Sequence, residues 1–403
     1  MRIAVIGAKG LPAKQGGIEH YCQELYPRMV SEGHRVDLFA RSSYTEAPWF
    51  SSTKVKGVNV ISLPSIALRG VDAVFNSALG AIATFLRPYD LVHIHALGPA
   101  LFCWLPKLMG STTVIVTCHG LDWQRSKWGA FSSRLIHLGE KMAVCYADEI
   151  TVVSQALQDY FKATYGIITP YIPNAPATYL ASDPHSTYLT SLKLDTHRYI
   201  LFLGRLVPEK RPDLLIKAYL SLQHPPWRLV IAGGGCHTAE YTQHLEKLAG
   251  HNPNIVFTGE VRGQQLADLV RGASLFVLPS DLEGLPLVML EAMQEGIPVL
   301  ASDIEAHEQL VGGNEERGLL FPVGDIQECA QKLEYAISHP EQIQNVAKIA
   351  QTYIKTHYNW QNITYEKLKL YNRVVTSRPM VESFQQRLWQ RNPLKIPRRI
   401  DPK

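Results

Sequence analysis

Short runs of β-branched and aliphatic residues alternate along this chain with longer amphipathic stretches, and this alternation restricts its fold more than any other feature. Strands that alternate with helices form parallel sheets that are covered on both faces. The first half predicts five strands, at residues 2–6, 35–40, 90–95, 113–118 and 149–153. The second half predicts six, at residues 199–203, 228–232, 255–258, 275–278, 298–301 and 319–321.

A chain of 403 residues is too long for one ordinary core. Residues 169–176, TPYIPNAP, hold three prolines within seven positions, which stops any helix and marks a change-over. We therefore predict an α/β protein with two Rossmann-like, doubly wound domains, residues 1–172 and 173–355, that face each other across a cleft. Ligands of such sheets bind beyond the carboxyl ends of the strands, so the loops that follow strands are the candidate sites.

Membrane-spanning and disulfide-rich classes are not expected. The longest apolar candidate, residues 71–86, is too short for a bilayer and contains Asn and Ser. The opening MRIAVIGAKG lacks the apolar region and cleavage site of a signal peptide, so we expect a cytoplasmic location. The six cysteines lie far apart with no Cys-x-x-Cys, which disfavours a metal or disulfide framework.

Charge is unevenly distributed: the net charge is +4 over residues 1–170, −5 over residues 171–375 and +5 over residues 376–403. No basic–aromatic platform or helix-turn-helix pattern accompanies it, so nucleic acid is not expected as a partner. An anionic membrane surface explains the basic tail better. A tail that is merely solvated and disordered explains it as well.

Two loops of the first half carry candidate site residues. Gly16 and Gly17 precede a helix predicted from residue 18 to about residue 30, and their backbone N–H groups would let an anion approach. A plain strand-to-helix turn is the alternative. His119 follows the strand at residues 113–118, where a side chain would point into the cleft; a structural histidine is the alternative. No second ligand stands beside it at metal spacing, so we expect no zinc.

The loop after the strand at residues 199–203 places Arg205 and Lys210 five residues apart, directly after Gly204. Arginine as a fork and lysine as a point charge can together neutralise a diphosphate without a metal ion. A solvated run of charges is the alternative. We interpret this loop as a phosphate site.

The stretch SDLEGLPLVMLEAM carries two carboxylates, Glu283 and Glu291, with Gly284 and Pro286 between them. The glycine and proline separate a loop that holds Glu283 from a helix that starts near Leu287 and carries Glu291. Two carboxylates could be the acid and base of a glycosidase. The layout also suits one sugar–diphosphate ligand, with phosphates at the backbone around Leu287, ribose on Glu291 and a second sugar on Glu283.

The Glu…Glu stretch, EGLPLVMLE, together with the Arg–Lys loop resembles the signature of retaining glycosyltransferases of the GT-B fold, in the large family-4 group. The resemblance extends to about residue 375. GAKGLPAKQGGIEHY and HGLDWQRSKWG are most similar to bacterial rhamnosyltransferase-type enzymes of polysaccharide assembly. Further motifs that carry the resemblance are VTCHGLDW, VVSQALQDYF, IPNA, FLGRLVPEK, IAGGG, FTGEV, VLPSDLEGLPLVMLEAM and VLASDIEAH.

The resemblance implies roles for individual residues. Arg205 and Lys210 would bind the donor diphosphate, Glu291 the nucleotide ribose, and Glu283 and His119 the donor sugar. Gly16 and Gly17 would border the donor phosphate and the acceptor, and Val261 would lie along the base. Asn174 and Ser154 match family positions without an assigned role. The segment at residues 231–237, IAGGGCH, departs from the family's usual Gly-x-Gly-Pro.

The resemblance further implies transfer of a sugar, with retention, from a nucleotide-diphosphate sugar to a saccharide or lipid-linked saccharide acceptor, with no metal and no cofactor. The helix at residues 356–375 would cross back to the first domain, ahead of the basic tail at residues 376–403. Alternatives are a hydrolase, which would need no phosphate site, a nucleotide-sugar epimerase of the same fold, and a non-catalytic sugar-binding module.

Overall fold

The computed structural model describes residues 1–14, 16–66, 71–108, 112–124, 129–183, 187–234 and 239–377. The chain divides into two compact units. The first comprises Met1–Asn174 and the segment that begins at Trp360, and the second comprises Ala175–Asn359.

The first unit is built on a sheet that has seven strands within the described residues. They are β1 (Arg2–Ile6), β2 (Arg35–Arg41), β3 (Ser52–Val55), β4 (Val58–Leu63), β5 (Leu91–His95), β6 (Thr113–Cys118) and β7 (Glu149–Val152). Their spatial order is β3-β4-β2-β1-β5-β6-β7, and every pair except β3–β4 is parallel. Strands β5 and β6 are buried throughout, as central strands of a sheet covered on both faces are.

The five strands predicted for this half are confirmed, with ends shifted by at most one residue, but two further strands, β3 and β4, were missed. They form an antiparallel hairpin whose turn residues, Lys56 and Gly57, have φ values of 47° and 85°. A two-residue turn with positive φ at both positions matches the twist of a hairpin. Strand β3 is largely exposed and lies at the sheet edge, so it lacks the apolar pattern on which the prediction depended.

Helices of the first unit pack on this sheet. Those before the unit boundary are α1 (Gly17–Ser31), α2 (Ser42–Thr45), α3 (Val71–Ala83), α4 (Ala130–Tyr146) and α5 (Gln155–Tyr165). Helix α1 buries Tyr21, Leu25, Tyr26 and Met29, one stripe at helical spacing. This stripe brings two tyrosines beneath the carboxyl ends of the central strands, where they contact the candidate site.

The second unit is built on a parallel sheet for which six strands were predicted, and the prediction is confirmed with ends shifted by at most one residue. They are β8 (Tyr199–Leu203), β9 (Arg228–Ala232), β10 (Ile255–Gly259), β11 (Leu275–Leu278), β12 (Val299–Ser302) and β13 (Leu319–Phe321), in the spatial order β10-β9-β8-β11-β12-β13. Its helices are α6 (Tyr188–Ser191), α7 (Pro212–Leu220), α8 (Ala239–Ala249), α9 (Gly263–Arg271), α10 (Leu287–Gln294), α11 (Glu305–Val311), α12 (Ile326–Ser338) and α13 (Pro340–His357).

The last described helix, α14 (Trp360–Thr376), belongs to the first unit. It buries Ile363, Lys367, Leu370 and Tyr371. The helix predicted from the pattern at residues 360–375 is therefore confirmed. In the part of the chain that the structure describes, none of the helices is both long enough and apolar enough to cross a membrane.

Candidate active site

In the second unit, the loop after β8 brings Lys210 back over the strand end. The chain passes Gly204 and enters a short 3-10 turn at Pro208–Lys210 before α7. A side chain at Gly204 would lie 3.2 Å from Cδ of Lys210, so the glycine leaves room for the lysine stem. Lys210 is thereby held at the carboxyl end of a central strand.

Lys210 contacts Glu283, which lies in the loop after the neighbouring strand. Strands β8 and β11 pair in parallel, so their carboxyl ends lie side by side. The Nζ atom of Lys210 is 2.6 Å from Oε1 of Glu283, and the Ser280 hydroxyl donates to the same oxygen at 3.1 Å. The structure thus brings together two predicted site residues that are far apart in sequence.

Two further contacts fix these loops against each other. The backbone N–H of Asp281 donates to the carbonyl oxygen of Glu209 at 2.9 Å. The Arg211 guanidinium donates to the Asp281 carboxylate at 3.2 Å. Arg205 is partly exposed in the same loop, and none of the described residues forms a hydrogen bond or ion pair with its guanidinium. A cation without a partner, beside a fixed ion pair, can bind an anionic ligand.

Glu291 lies in α10, one turn beyond its first residue, Leu287. The Tyr179 hydroxyl donates to Oε2 of Glu291 at 2.7 Å, and the backbone N–H of Ala177 also bonds the carboxylate. Burial raises the pKa of Glu291 to about 7. Pro286 caps the helix without a side-chain hydrogen bond, and the Met289 N–H donates to its carbonyl oxygen at 3.0 Å. Among the described residues, the N–H groups of Leu287 and Val288 have no partner and can bind an acceptor.

A layer that the sequence did not predict supports the Glu283 loop. The Ser302 hydroxyl donates to the Ser280 carbonyl at 2.5 Å, and Nδ1 of His307 lies 2.8 Å from the Ser302 carbonyl oxygen. Burial lowers the pKa of His307 to about 4, so its ring is neutral near pH 7. Within the described residues, its buried Nε2 atom has no hydrogen-bond partner. The motif VLASDIEAH, which ends at His307, contributed to the family resemblance, but it did not predict a role for this histidine.

Gly233 follows β9 at the carboxyl end of the sheet and packs against the backbone of Gly204, where the Lys210 loop begins. Its φ is 145°, and a Cβ atom there would lie 1.8 Å from the carbonyl oxygen of Gly204. Val261, in the loop after β10, is buried. The departing segment is described only through Gly234; Cys236 and His237 lie outside the described residues, as does the basic tail from residue 378.

In the first unit, His119 follows β6 and ends a chain of buried hydrogen bonds. Its Nε2 atom lies 2.9 Å from Nδ1 of His95, and the Tyr21 ring packs edge-on against both imidazoles. Burial, with the nearby Lys367, lowers the pKa of His119 to about 3. A neutral imidazole has one N–H donor and one acceptor, so His119 can contact a sugar hydroxyl without carrying a charge.

The chain continues through residues that the sequence analysis did not single out: His93, Thr117, Thr151, Tyr26, Tyr371 and Lys367. His93 and His95 alternate on β5 and so share one face of the sheet, which was a readable signal. No sequence pattern predicts that Lys367 takes part, because it lies 250 positions from its partner Thr117. Among the described residues, no group of three or more His, Cys, Asp or Glu side chains is arranged to hold a metal ion.

Gly16 caps the start of α1 with a φ of 99°, and Glu19 folds back against it. A Cβ atom on Gly16 would lie 2.2 Å from a carboxylate oxygen of Glu19, and the backbone N–H of Lys9 donates to the other oxygen at 2.8 Å. An anion near Gly16 and Gly17 would therefore share this helix end with a carboxylate. Ser154 caps α5, and Asn174 is the last residue of the first unit before the chain enters the second; both are buried.

Two family profiles match this chain. "Glycosyl transferase 4-like domain" matches residues 16–180, and "Glycosyl transferases group 1" matches residues 190–353. The D-inositol 3-phosphate glycosyltransferase of Gordonia bronchialis is 26% identical and covers 93% of this chain and 89% of its own length. The chain is a group 1 glycosyltransferase.

Solved structures show that this glycosyltransferase has the GT-B fold. Sucrose-phosphate synthase from Thermosynechococcus elongatus aligns with a TM-score of 0.80 at 22% identity, over 94% of the glycosyltransferase and 100% of that chain. The Anabaena protein HepE, solved in complex with UDP-glucose, aligns with a TM-score of 0.74 at 18% identity, over 92% and 99% of the two chains. The predicted fold, with two Rossmann-like domains, is confirmed.

Proposed function

We propose that this glycosyltransferase moves a sugar, with retention of anomeric configuration, from a nucleotide-diphosphate sugar to a hydroxyl acceptor, and that it needs no metal ion. The second unit binds the donor and the first unit supplies the acceptor side. The observation that supports this proposal most is the 2.6 Å contact between Lys210 and Glu283. It places a cation and a carboxylate at the carboxyl ends of adjacent strands, where ligands of such sheets bind.

The charges support phosphate binding rather than acid–base hydrolysis. The Lys210 ammonium already donates to Glu283 at 2.6 Å, and a cation bonded to the carboxylate is unlike the setting of a glycosidase acid, which must carry a proton. Glu291, in turn, is engaged by Tyr179 and by the backbone of Ala177. Each carboxylate has its own partners, which suits binding of two different parts of one ligand.

In the proposed reaction, the bond from the anomeric carbon to the β-phosphate oxygen breaks as the acceptor oxygen attacks from the same face. The acceptor proton passes to the departing phosphate, which serves as the base. Arg205 and Lys210 stabilise the negative charge that develops on this phosphate, and a preorganised cation is an effective source of such stabilisation. Glu283 and His119 contact the donor sugar, Glu291 binds the ribose, and Val261 and the backbone at Leu287 border the base and phosphates.

The identities of the donor base, the donor sugar and the acceptor are proposed separately. The Anabaena relative is solved with UDP-glucose, and the Gordonia relative's name gives an inositol phosphate acceptor. For this chain we favour a saccharide or lipid-linked saccharide acceptor in bacterial polysaccharide or glycolipid assembly. The rhamnosyltransferase-like assignment depends on the motifs GAKGLPAKQGGIEHY and HGLDWQRSKWG alone.

A thermal-shift panel of UDP-, GDP- and dTDP-sugars tests donor binding, because a ligand that binds the folded state stabilises it according to its affinity. The stabilising donor is then incubated with candidate acceptors, and the anomeric configuration of the product is read by proton NMR. We expect retention and an absolute need for acceptor. Turnover of the nucleotide sugar without acceptor would favour the epimerase, and an inverted product would contradict the proposal. Binding with no turnover across the acceptors would favour a sugar-binding module.

The basic tail leads to a separate proposal, that the enzyme works at an anionic membrane surface. Residues 376–403 carry a net charge of +5 with Phe384, Leu388 and Trp389 among the basic residues. Such a segment gains about 1 kcal/mol per basic residue near an anionic leaflet. Removal of residues 378–403 should abolish sedimentation with phosphatidylglycerol vesicles. Sedimentation equal to that of the full chain would overturn the proposal.

A further inference from the structure

The buried chain that ends at His119 begins at Lys367 of α14, and both ends belong to the first unit. Lys367 is fully buried, and no carboxylate within the described residues pairs with it. Its Nζ atom donates to the hydroxyl oxygen of Thr151 at 2.9 Å and to that of Thr117 at 3.3 Å. Below about pH 7, the pKa to which burial lowers this amine, Lys367 is an ammonium with three donors and no acceptor, so protons can only leave this end of the chain.

The direction of the next bonds follows from that end. The described residues offer the Thr151 hydroxyl proton one acceptor, the Thr117 oxygen at 2.7 Å. The Thr117 oxygen then accepts from both Lys367 and Thr151, which uses its two lone pairs. Its own proton must go to Nε2 of His93, at 2.6 Å. His93 therefore carries its single proton on Nδ1.

The same accounting continues to His119. The Nδ1–H group of His93 lies 2.7 Å from the Tyr26 oxygen and 2.5 Å from that of Tyr371. Tyr371 also bonds Tyr26, and since Nδ1 of His93 carries a proton, the Tyr371 hydroxyl donates to the Tyr26 oxygen. The Tyr26 hydroxyl then donates to Nε2 of His95 at 2.7 Å. This leaves the proton of His95 on Nδ1, which donates to Nε2 of His119 at 2.9 Å.

We propose that Lys367 is a positioning residue for the transfer reaction: it sets the direction of this chain and so holds His119 as the tautomer that accepts at Nε2 and presents an Nδ1–H donor to a ligand. The inference depends on the proposed function in one respect, that His119 contacts the donor sugar. No described residue bonds Nδ1 of His119, and the residue is partly exposed. A fixed N–H donor there recognises a hydroxyl or carbonyl oxygen of the sugar.

Loss of Lys367 removes the group at the start of the chain that can only donate hydrogen bonds. The chain can then also run in reverse, with Nε2–H of His119 donating to His95 and each later proton moving to its other partner. Without Lys367, the forward direction leaves the Thr151 oxygen without a donor, and the reverse direction leaves the Thr151 proton without an acceptor among the described residues. Each direction therefore leaves one group of Thr151 unsatisfied, so the two tautomers of His119 become comparable in population. The N–H donor toward the ligand is then present only part of the time.

The first test is the tautomer itself. In the full-length chain labelled with 15N-histidine, the His119 ring is assigned by its loss in His119→Ala, and its nitrogen shifts show which atom is protonated. At pH 6, where Lys367 is charged, we expect Nδ1–H in the wild-type protein and a mixture in Lys367→Met. Lys369→Met, at an exposed position of the same helix, is the matched control and should leave the tautomer unchanged. An unchanged tautomer in a folded Lys367→Met variant overturns the proposal, and this measurement needs no enzymatic activity.

The second test is kinetic and distinguishes positioning from a general structural effect. Lys367→Met should lower kcat/KM about three- to tenfold, the effect of one net hydrogen bond. In the His119→Ala background the same substitution should have no further effect, because residues that act through one another are not additive. Full additivity overturns the proposal. Thr117→Val removes the hydroxyl through which both Lys367 and Thr151 reach His93, and it replaces Lys367→Met in both tests if that variant does not fold.

Discussion

The Nζ atom of Lys210 lies 2.6 Å from Oε1 of Glu283, and this ion pair joins the loops that leave two neighbouring strands, β8 and β11. Only 13% and 11% of the two side chains is exposed. A buried pair of this kind adds little net stability, because desolvation opposes the attraction of the charges. It does fix a cation and a carboxylate at the carboxyl edge of the sheet, where the proposed donor site lies.

Removal of the Lys210 charge should reduce catalysis and should also destabilise the fold, by about 3–5 kcal/mol, because Glu283 is left buried without its cation. We expect Lys210→Met to lower kcat by roughly 10²–10³-fold, the usual effect of removing one preorganised group that stabilises developing charge. Steady-state kinetics with the donor identified by thermal shift measures this. Lys348→Met, at an exposed site on α13, is the control and should keep wild-type kinetics. Wild-type turnover in Lys210→Met would remove this residue from the site.

The raised pKa of Glu291 predicts a pH-dependent donor affinity. Ribose hydroxyls donate hydrogen bonds to an ionised carboxylate, and burial raises the pKa of Glu291 to about 7. Affinity should therefore rise as pH increases through about 7 and level off above it. Titration calorimetry with an intact nucleotide sugar measures this; a free nucleoside diphosphate would add a phosphate that titrates near pH 6.

Glu291→Gln should flatten that profile, and Glu291→Ala should abolish transfer and weaken nucleotide binding. The glutamine keeps the size of the side chain but cannot ionise, so it isolates the effect of charge. A profile in Glu291→Gln that kept the wild-type slope would show that another group titrates. Wild-type transfer in Glu291→Ala would refute the assignment of the ribose to this residue.

Tyr179 should tune the same titration. Its hydroxyl donates to Oε2 of Glu291 at 2.7 Å, and this bond favours the ionised carboxylate and lowers its pKa. Tyr179→Phe should therefore move the midpoint of the affinity profile to higher pH, so that affinity falls at pH 7 and recovers at higher pH. Tyr365→Phe, at a residue that is 65% exposed, is the control. A midpoint that stayed in place or moved down would contradict this coupling.

Much of the fold and of the second-unit site was predictable from local pattern. Strand runs, Gly204 directly after β8, and the Gly284 and Pro286 pair before α10 are short-range signals, and each predicted its element. The hairpin β3–β4 was missed because its outer strand is polar and exposed. Its turn, Lys56-Gly57, was the signal available.

The buried chain in the first unit was not predictable, for a physical reason. A lysine in a helix normally indicates a solvated face, and Lys367 lies in a helix otherwise rich in polar residues. Only the tertiary packing of α14 places it against Thr117 and Thr151. Likewise, Tyr179 reaches Glu291 across 112 positions, and no spacing rule relates the two residues.

Gly233 should be the least replaceable glycine near the site. A Cβ atom there would lie 1.8 Å from the Gly204 carbonyl oxygen, a rigid backbone atom next to the Lys210 loop, at a φ of 145°. We expect Gly233→Ala to lower the free energy of unfolding by roughly 3 kcal/mol or more. Gly250→Ala is the matched control: its φ is 62°, but a Cβ atom there would meet no atom within 4 Å, so the cost should be only about 1–2 kcal/mol. Equal melting temperatures for the two variants would contradict the steric argument.

The buried Lys367 should lower the free energy of unfolding, even though it positions His119. Burial lowers the pKa of Lys367 from 10.5 to about 7. Between pH 7 and pH 10.5, Lys367 is protonated in the unfolded chain but not in the folded one, so the free energy of unfolding rises with pH across that window. The destabilisation caused by burying the charged lysine is complete below about pH 7. Each unit of pKa difference corresponds to about 1.4 kcal/mol.

Lys367→Met should therefore melt at a higher temperature than the wild-type protein at pH 6, and the difference should shrink as pH rises toward 10. Melting curves of the two proteins and of Lys369→Met, recorded at half-unit intervals of pH, measure this. Wild-type and Lys367→Met proteins differ only at this residue, so the difference between their curves reports Lys367 together with its effect on the pKa values of His93, His95 and His119. Lys369→Met shows the effect of losing an exposed lysine from the same helix. A gap that stayed constant with pH would show that the buried amine does not titrate in this window. Raised stability together with the lowered kcat/KM described above would show that the lysine is retained for function at the expense of stability.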